Sequence, residues 1–412
     1  MADKIVGTKN ISVKLLTIAG EVTVAAADVV EIFFMEDITS ACISGKLTFN
    51  DRQGILESFS FTGHELLTVQ YGEVDFIEKI FVIYSVGNIS ETLQMEGSSF
   101  SQVELFFVEP QYQNLAMNTY SKSWNNETIS TIVQEIYLNM GLGQPFIKFE
   151  KSNEKISFCM PYWTPIESIN WLMKRASGSV TNTAGYLLYS NNKGPNFITL
   201  ENLLRNGAED IDPYSFDAQD ITYLNKIIDW SITGIDGIAL SKLQGGTMLG
   251  YDFNTKSLIR QLYDYKNTIK KYTMAGHNTL FPDISNTGVN IGMPGDSDPV
   301  LLRNMAHSEF IKRYMYQLQL NVTVRGHENR HVGQITNVQW PSVNKPEYIH
   351  KAMDGKYMIT TIVNQFNSRM SPMWKQNMVM IKTAYTNSDF KLLHKSTIVA
   401  EKPNAAKVGI TK

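Results

Sequence analysis

The sequence predicts an α+β, mainly β protein in which two small antiparallel, tube- or barrel-like β domains bracket an α+β domain. Three observations predict it. Short strand patterns separated by turn signals fill residues 1–108, two capped amphipathic helices lie within 109–206, and strand patterns return through 207–390. At 412 residues, 43% hydrophobic and 19% charged, the chain has room for about two or three domains with sizeable cores. A net charge of −3 gives no electrostatic case for a nucleic-acid binder, and no basic cluster with interleaved aromatics occurs. Cys42 and Cys159 lie far apart without CxxC spacing, which indicates neither a disulfide framework nor a zinc ribbon and fits a reducing compartment during folding.

Taken in order, Leu15 to Val30 looks faintly like a signal peptide, but Glu21, Asp28 and Glu31 interrupt the apolar run, so no membrane anchor is expected. Two strands joined by a turn at Gly20 fit better. A strand around Lys46 to Phe49 ends in a turn at Asn50-Asp51, a strand runs from Glu65 to Tyr71, and Phe76–Val86 and Thr92–Glu96 supply two more. Next, Ile129, Ile132, Val133, Ile136, Tyr137 and Met140 recur at helical spacing, with Asn126 as N-cap and Gly141 as stop. A second helix opens with Thr164 as N-cap, Pro165 at the first position and Glu167 closing a capping box, and stops at Ser177-Gly178. Tyr162, Trp163 and Trp171 beside it lack the carboxylate pair or glycine-rich loop that a sugar or cofactor platform needs, so they read as packing. Residues 185–201 form a hairpin with a polar tip at Asn191-Asn192-Lys193-Gly194-Pro195-Asn196.

In the last block, a hairpin tip is expected at Asn254-Thr255-Lys256, a mobile surface loop at 277–298, and a helix over 299–316 opened by Asp298-Pro299. Leu318, Leu320, Val322 and Val324 then alternate with Gln319, Asn321, Thr323 and Arg325, which puts the apolar set on one face of a strand. A second strand closes at Pro341, a third spans Gly355–Phe366, a fourth follows Ser368, and 391–412 is a polar tail. The four strands of each β block suggest a repeat of pattern without residue identity.

Between the first two of these strands, His327-Glu328-Asn329-Arg330-His331 spells H-E-x-x-H. That zinc-protease motif works on a helix, where residues four apart share a face; here the context is strand, glycine, turn, strand, so a polar solvated hairpin tip is expected, with no metal and no catalytic residue.

Several stretches resemble phage baseplate hub proteins. They are ISGKLTFNDRQGILESFSFTGHELLTVQY, PYWTPIESINWLMKRAS, LNVTVRGHENRHVGQITNVQWP and GKYMITTIVNQF, which together cover most of the chain; Gln334 stands where that family often has an acidic residue. The resemblance implies a structural, non-enzymatic hub of a contractile phage tail or a related injection machine. It implies a homotrimer whose six β domains form a pseudo-sixfold ring. That ring would join the tail tube above to a central spike below, among surrounding baseplate proteins, with DNA only as passing cargo and no cofactor. Its place would be the tail baseplate of the virion, after assembly in the host cytoplasm. A lumen that passes DNA must be polar without free positive charge, and Gln319, Asn321 and Thr323 are the candidate channel-facing residues. The competing readings are a metallohydrolase built on His327, Glu328 and His331, and a receptor-binding module acting through the 277–298 loop.

Overall fold

The computed structural model describes residues 11–382 apart from 18–19, 56–64, 73–74, 94–98, 207–211, 217–223, 234–244, 253–254, 265–288, 295–297, 315–317, 341–353 and 369–372. The chain is α+β and mainly β, as expected. Its first strands are β1 (Ile11–Thr17), β2 (Gly20–Val24), β3 (Val29–Asp37), β4 (Ser44–Asp51), β5 (Leu66–Tyr71), β6 (Ile77–Leu93) and β7 (Ser99–Val108). Next come α1 (Gln111–Ala116), β8 (Tyr120–Thr128), α2 (Ile129–Glu135) continued by a π-helical turn over Ile136–Met140, β9 (Lys148–Phe149), β10 (Lys155–Trp163) and α3 (Pro165–Met173). They are followed by β11 (Tyr186–Asn191), β12 (Gly194–Thr199), α4 (Leu200–Asn206), β13 (Tyr214–Ser215), β14 (Ile227–Thr233), β15 (Gly245–Asp252), β16 (Ser257–Asp264) and β17 (Val289–Pro294). The last elements are α5 (Pro299–Tyr314), β18 (Leu318–Arg325), β19 (Ile335–Gln339), β20 (Gly355–Asn367) and β21 (Trp374–Lys382). Among the described residues no helix is long and apolar enough to cross a membrane.

The two strand-rich blocks share one sheet. Its 13 strands run β14-β18-β21-β20-β3-β4-β7-β6-β5-β1-β2, with β19 branching from β20 and β13 from β19. The seam is the antiparallel pair β20–β3, in register from Thr361↔Asp37 to Asn367↔Glu31. Outward from it, hairpin β3–β4 is mirrored by hairpin β20–β21, so the two halves have like topology about the seam. The repeat of pattern, taken in chain order, would set residues 47–49, 66–71, 80–86 and 92–96 against 317–324, 334–340, 357–363 and 377–382, which is not the order about the seam.

Period-two alternation sends one face of each half into a core. The first core gathers Val13, Leu15, Phe34, Leu47, Phe49, Leu67, Phe81, Leu105 and Phe107, together with Phe366 and Trp374 from across the seam. The second gathers Leu320, Val322, Val324, Ile335, Ile359 and Met380. A third, between helices α2–α3, the β8–β10 pair and hairpin β11–β12, holds Ile129, Ile132, Val133, Ile169 and Leu172. Hairpin β11–β12 is the wall between the last two: Tyr186, Leu188 and Phe197 face the third core, whereas Leu187, Tyr189 and Ile198 face the second. Every residue of both strands is buried for that reason.

Several expectations change. Thr92–Glu96 is not a separate strand, because β6 runs on through a bulge between Val86 and Ile89 to Leu93 and pairs with β7, which the pattern did not single out. The N-cap of α2 is Thr128, whose hydroxyl accepts the Thr131 amide, while Asn126 sits two residues upstream in β8 with φ +54°. The capping box of Thr164 and Glu167 is present, but α3 ends at Met173, with Lys174 as its C-cap. Within 277–298, Val289–Pro294 is a strand paired in parallel with β15; residues 277–288 and 295–297, like 391–412, lie outside the described residues. Asp298 Oδ1 accepts the Val300 amide at 2.7 Å and opens α5 as expected. Among the described residues that helix lies chiefly against β15 and β16, and Asn304 Nδ2 donates to Glu154 Oε1 at 2.7 Å.

Candidate functional site

The H-E-x-x-H stretch is not a solvated hairpin tip. The flanking strands are not partners, since β18 pairs with β14 and β21, whereas β19 pairs with β20 and β13. The segment therefore crosses between distant positions in the sheet, and a crossing chain is covered. Glu328, Arg330 and His331 are 3, 3 and 4% exposed. Two glycines shape the crossing: a Cβ on Gly326 would lie 2.0 Å from the Trp374 ring, and Gly333 has φ +83° with Tyr189 Oη 2.6 Å from where its Cβ would be.

Arg330 anchors it. The guanidinium donates to the carbonyl of Arg325, to Gln376 Oε1 and the Leu224 carbonyl at 2.8 Å each, and to Asn225 Oδ1 at 2.8 Å. Asp75 N–H donates to Glu328 Oε1 at 3.2 Å, which ties the turn to the first block. The tip of hairpin β11–β12 closes over it: Asn192 Nδ2 donates to the carbonyls of Glu328 (2.7 Å) and Arg330 (3.1 Å), and Asn191 Nδ2 to that of Val332 (3.2 Å). Polarity in that tip signals a hydrogen-bonded junction, not exposure. The two imidazoles are already engaged, for His327 Nδ1 accepts the Asn329 amide at 3.2 Å and His331 Nδ1 lies 3.2 Å from the Asn329 carbonyl. Among the described residues no group of three or more His, Cys, Asp or Glu side chains is placed to share a metal ion.

Beneath the turn sits a titratable pair that the sequence did not single out. Glu36, on β3 beside the seam, is 1% exposed; its Oε2 accepts the Val332 amide at 3.4 Å, and the Asn192 backbone amide faces the carboxyl from the hairpin tip. Burial pushes its carboxyl up to about 7, against the Val332 amide and Lys79. Glu109 is also buried, accepts from Ile43 N–H (3.0 Å) and Ser190 Oγ (2.9 Å), and is raised by burial. Lys79 Nζ lies 3.9 Å from Glu109 Oε1 and donates to the Asn191 carbonyl at 3.1 Å. Burial brings the His331 imidazole down to about 4, with Lys193 and Lys148 adding repulsion.

Gln319, Asn321 and Thr323 occupy the opposite face of β18 from Leu320, Val322 and Val324, and are half-buried. Asn321 and Thr323 belong to a row of hydrogen-bonded polar groups that crosses the sheet. Asn321 Nδ2 donates to Ser231 Oγ (3.2 Å) and Thr233 Oγ1 (2.9 Å), and Thr323 Oγ1 to Asn377 Oδ1 (2.8 Å). Gln365 Nε2 donates to Glu31 Oε1 (2.6 Å), and Thr361 Oγ1 to Asp37 Oδ2 (2.7 Å) across the seam. On the same face in the first half, Lys46 pairs with Glu104 at 3.0 Å and Lys14 with Glu21 at 2.9 Å. That half is more apolar than expected, with Met35 and Ile80 39 and 48% exposed.

No protein-family model matches the chain. Over 192 residues it is 24% identical to a probable baseplate hub protein, gp334, of the Vibrio phage KVP40, covering 43% of this chain and 45% of that protein. The chain thus spans about half of that relative's length. Two solved structures share the fold: the tail protein from Neisseria meningitidis MC58 (TM-score 0.57, 10% identity, 91% of this chain and 97% of that one) and the 43 kDa tail protein of prophage MuSo2 from Shewanella oneidensis (TM-score 0.54, 11% identity, 91 and 98%). The resemblance to phage baseplate hub proteins read from the residues is matched by these relatives.

Proposed function

We propose that the chain is a structural baseplate hub subunit of a phage tail, and that three copies close a pseudo-sixfold β ring around a channel. The observation that carries this reading is a pair of strand edges, one along β14 at an end of the sheet and one along the distal half of β6, where that strand runs on past β5. Among the described residues β14 is paired only with β18, and beyond Ser85 the distal part of β6 is paired only with β7, so within them each leaves a row of backbone donors and acceptors without a strand partner. Both edges also expose apolar side chains on the core side of the sheet. Trp230 and Ile232 register with the core residues Val322 and Leu320, and Val86 and Ile89 with Leu105 and Val103. Ile228, Trp230 and Ile232 are 50, 49 and 42% exposed, Val86 and Ile89 36 and 56%. Laying β14 of one copy beside the distal β6 of the next extends the sheet and joins these apolar rows into one covered strip. Each chain then contributes two like four-strand segments, β14-β18-β21-β20 and β3-β4-β7-β6, so three chains contribute six.

In that ring the face with Gln319, Asn321 and Thr323 looks into the channel, while the middle unit, residues 109–206, lies on the core side. On that face Lys14 and Lys46 are paired with carboxylates, while Arg325 and Lys375 register with one another at its edge. A tail tube above and a spike below are its partners, and the role needs no catalysis.

Light scattering tests the trimer, and an Ile89→Cys, Ile232→Cys double variant tests the edges. The expected result is three chains, with oxidation producing covalent dimers and trimers. A protein that stays monomeric at high concentration, alone and with its spike partner, refutes the trimer; a trimer without cross-links refutes the edge pairing alone.

A further inference from the structure

The buried turn has a property that a static anchor does not need. Glu36 and His331 lie on either side of one hydrogen bond, because the amide that Glu36 accepts belongs to Val332, the next residue after His331. Among the described residues neither side chain forms an ion pair. The charged groups facing Glu36 are Lys79 from β6 and Glu109 from the end of β7, with the Tyr71 hydroxyl from β5 and the Asn192 amide from the hairpin tip. Those facing His331 are Lys193 of the hairpin tip and Lys148 of β9. One ammonium group thus serves two buried carboxylates, and two ammonium groups face the imidazole with no carboxylate between. When the junction is closed, the cheapest state keeps the proton on Glu36 and leaves the imidazole neutral. When it opens to water, both groups return to ordinary behaviour: the carboxyl loses its proton and the imidazole gains one.

We propose that hairpin tip 191–194 and turn 327–334 form a proton-balanced clasp across the seam, in which Glu36 holds the proton while the clasp is closed and His331 holds it while it is open. Opening takes up one proton at His331 and releases one at Glu36, while Glu109 keeps its hydrogen bonds from Ile43 N–H and Gln111 Nε2 outside the clasp, so the grip of the middle unit on the sheet is insensitive to mildly acidic pH even though its centre is titratable. Removing either group exposes the dependence of the other. Glu36, raised from 4.5 to about 7, by itself makes opening easier by about tenfold per pH unit across that window as pH rises. His331, lowered from 6.5 to about 4, by itself makes opening harder by about tenfold per pH unit between about 4 and 6.5 as pH rises.

Hydrogen exchange of the full-length protein between about pH 4.5 and 6.5, corrected for intrinsic rates, reads this in peptides covering 186–199 and 327–340. Wild type should show nearly constant protection. Glu36→Gln should gain protection as pH rises, and His331→Gln should lose it, each by up to about tenfold per unit. The helix α3 peptide should show no slope in any of the three. A wild-type slope as steep as a variant's, slopes of the same sign in both variants, no slope in either, or an equal slope in α3 each overturns the clasp. Either variant alone, set against wild type, decides the sign if the other fails to fold.

Discussion

Replacing Gln319, Asn321 and Thr323 together by lysine separates a channel wall from an ordinary wet face. The cost in stability follows from the bonds lost: two from Asn321 and one from Thr323, none deeply buried, at about 1 kcal/mol each, hence roughly 3 kcal/mol at most. Leu320, Val322 and Val324 are untouched, so the chain should fold and assemble. In the proposed ring, three lysines on each of three chains place about nine ammonium groups around the lumen, and six to ten phosphate contacts carry an affinity that falls roughly 10³–10⁵-fold between ~50 and ~200 mM salt. Genome ejection from assembled particles, followed by the fluorescence of released DNA, should be strongly slowed at low salt and recover as salt is raised. The matching triple glutamate variant loses the same bonds and should eject at the wild-type rate. Normal ejection by a correctly assembled lysine variant, or equal slowing in the glutamate variant, would refute the assignment of this face.

Two further outcomes test the architecture. Arg330→Ala removes a buried guanidinium and takes its donor from the Arg325 and Leu224 carbonyls and Asn225 Oδ1, while Gln376 Oε1 still accepts from His327 N–H, so chemical denaturation should register a loss of about 3–5 kcal/mol at roughly 1–2 kcal/mol per acceptor, and Arg330→Lys should recover little because an ammonium cannot reproduce the fork; a loss under about 1 kcal/mol would contradict the anchoring role. Residues 109–206 expressed alone should melt cooperatively on the strength of their own core yet associate through Leu187, Tyr189 and Ile198, and polar replacements at those three positions should make the fragment soluble while costing the full chain about 1.5–3 kcal/mol per side chain; a disordered fragment would count against the unit.

What the sequence made legible was whatever depends on neighbours along the chain. Thr164, Pro165 and Glu167 announce α3 because a capping box is a contact between residues three apart, and the alternation of Leu318 to Arg325 announces β18 because one strand's two faces are set by its own period. Pairing is not local in that sense. The same alternation is compatible with β19 or β14 beside β18, and only the complete sheet makes β14 and β21 the partners, which turned an expected hairpin tip into a buried crossing. Motif and composition then misread exposure in the same direction. Asn191, Asn192 and the HENRH run are polar, and polar residues at a turn signal water only when no other chain segment offers the hydrogen bonds that water would. Here each turn supplies the other's partners, and Glu36, the carboxylate that β3 carries on its inward face, was the residue whose position marked the seam where they meet. A charged residue on the inward face of an alternating strand is therefore a sign of a polar junction between cores, and its spacing with Phe34 and Ile32 was open to reading from the chain alone.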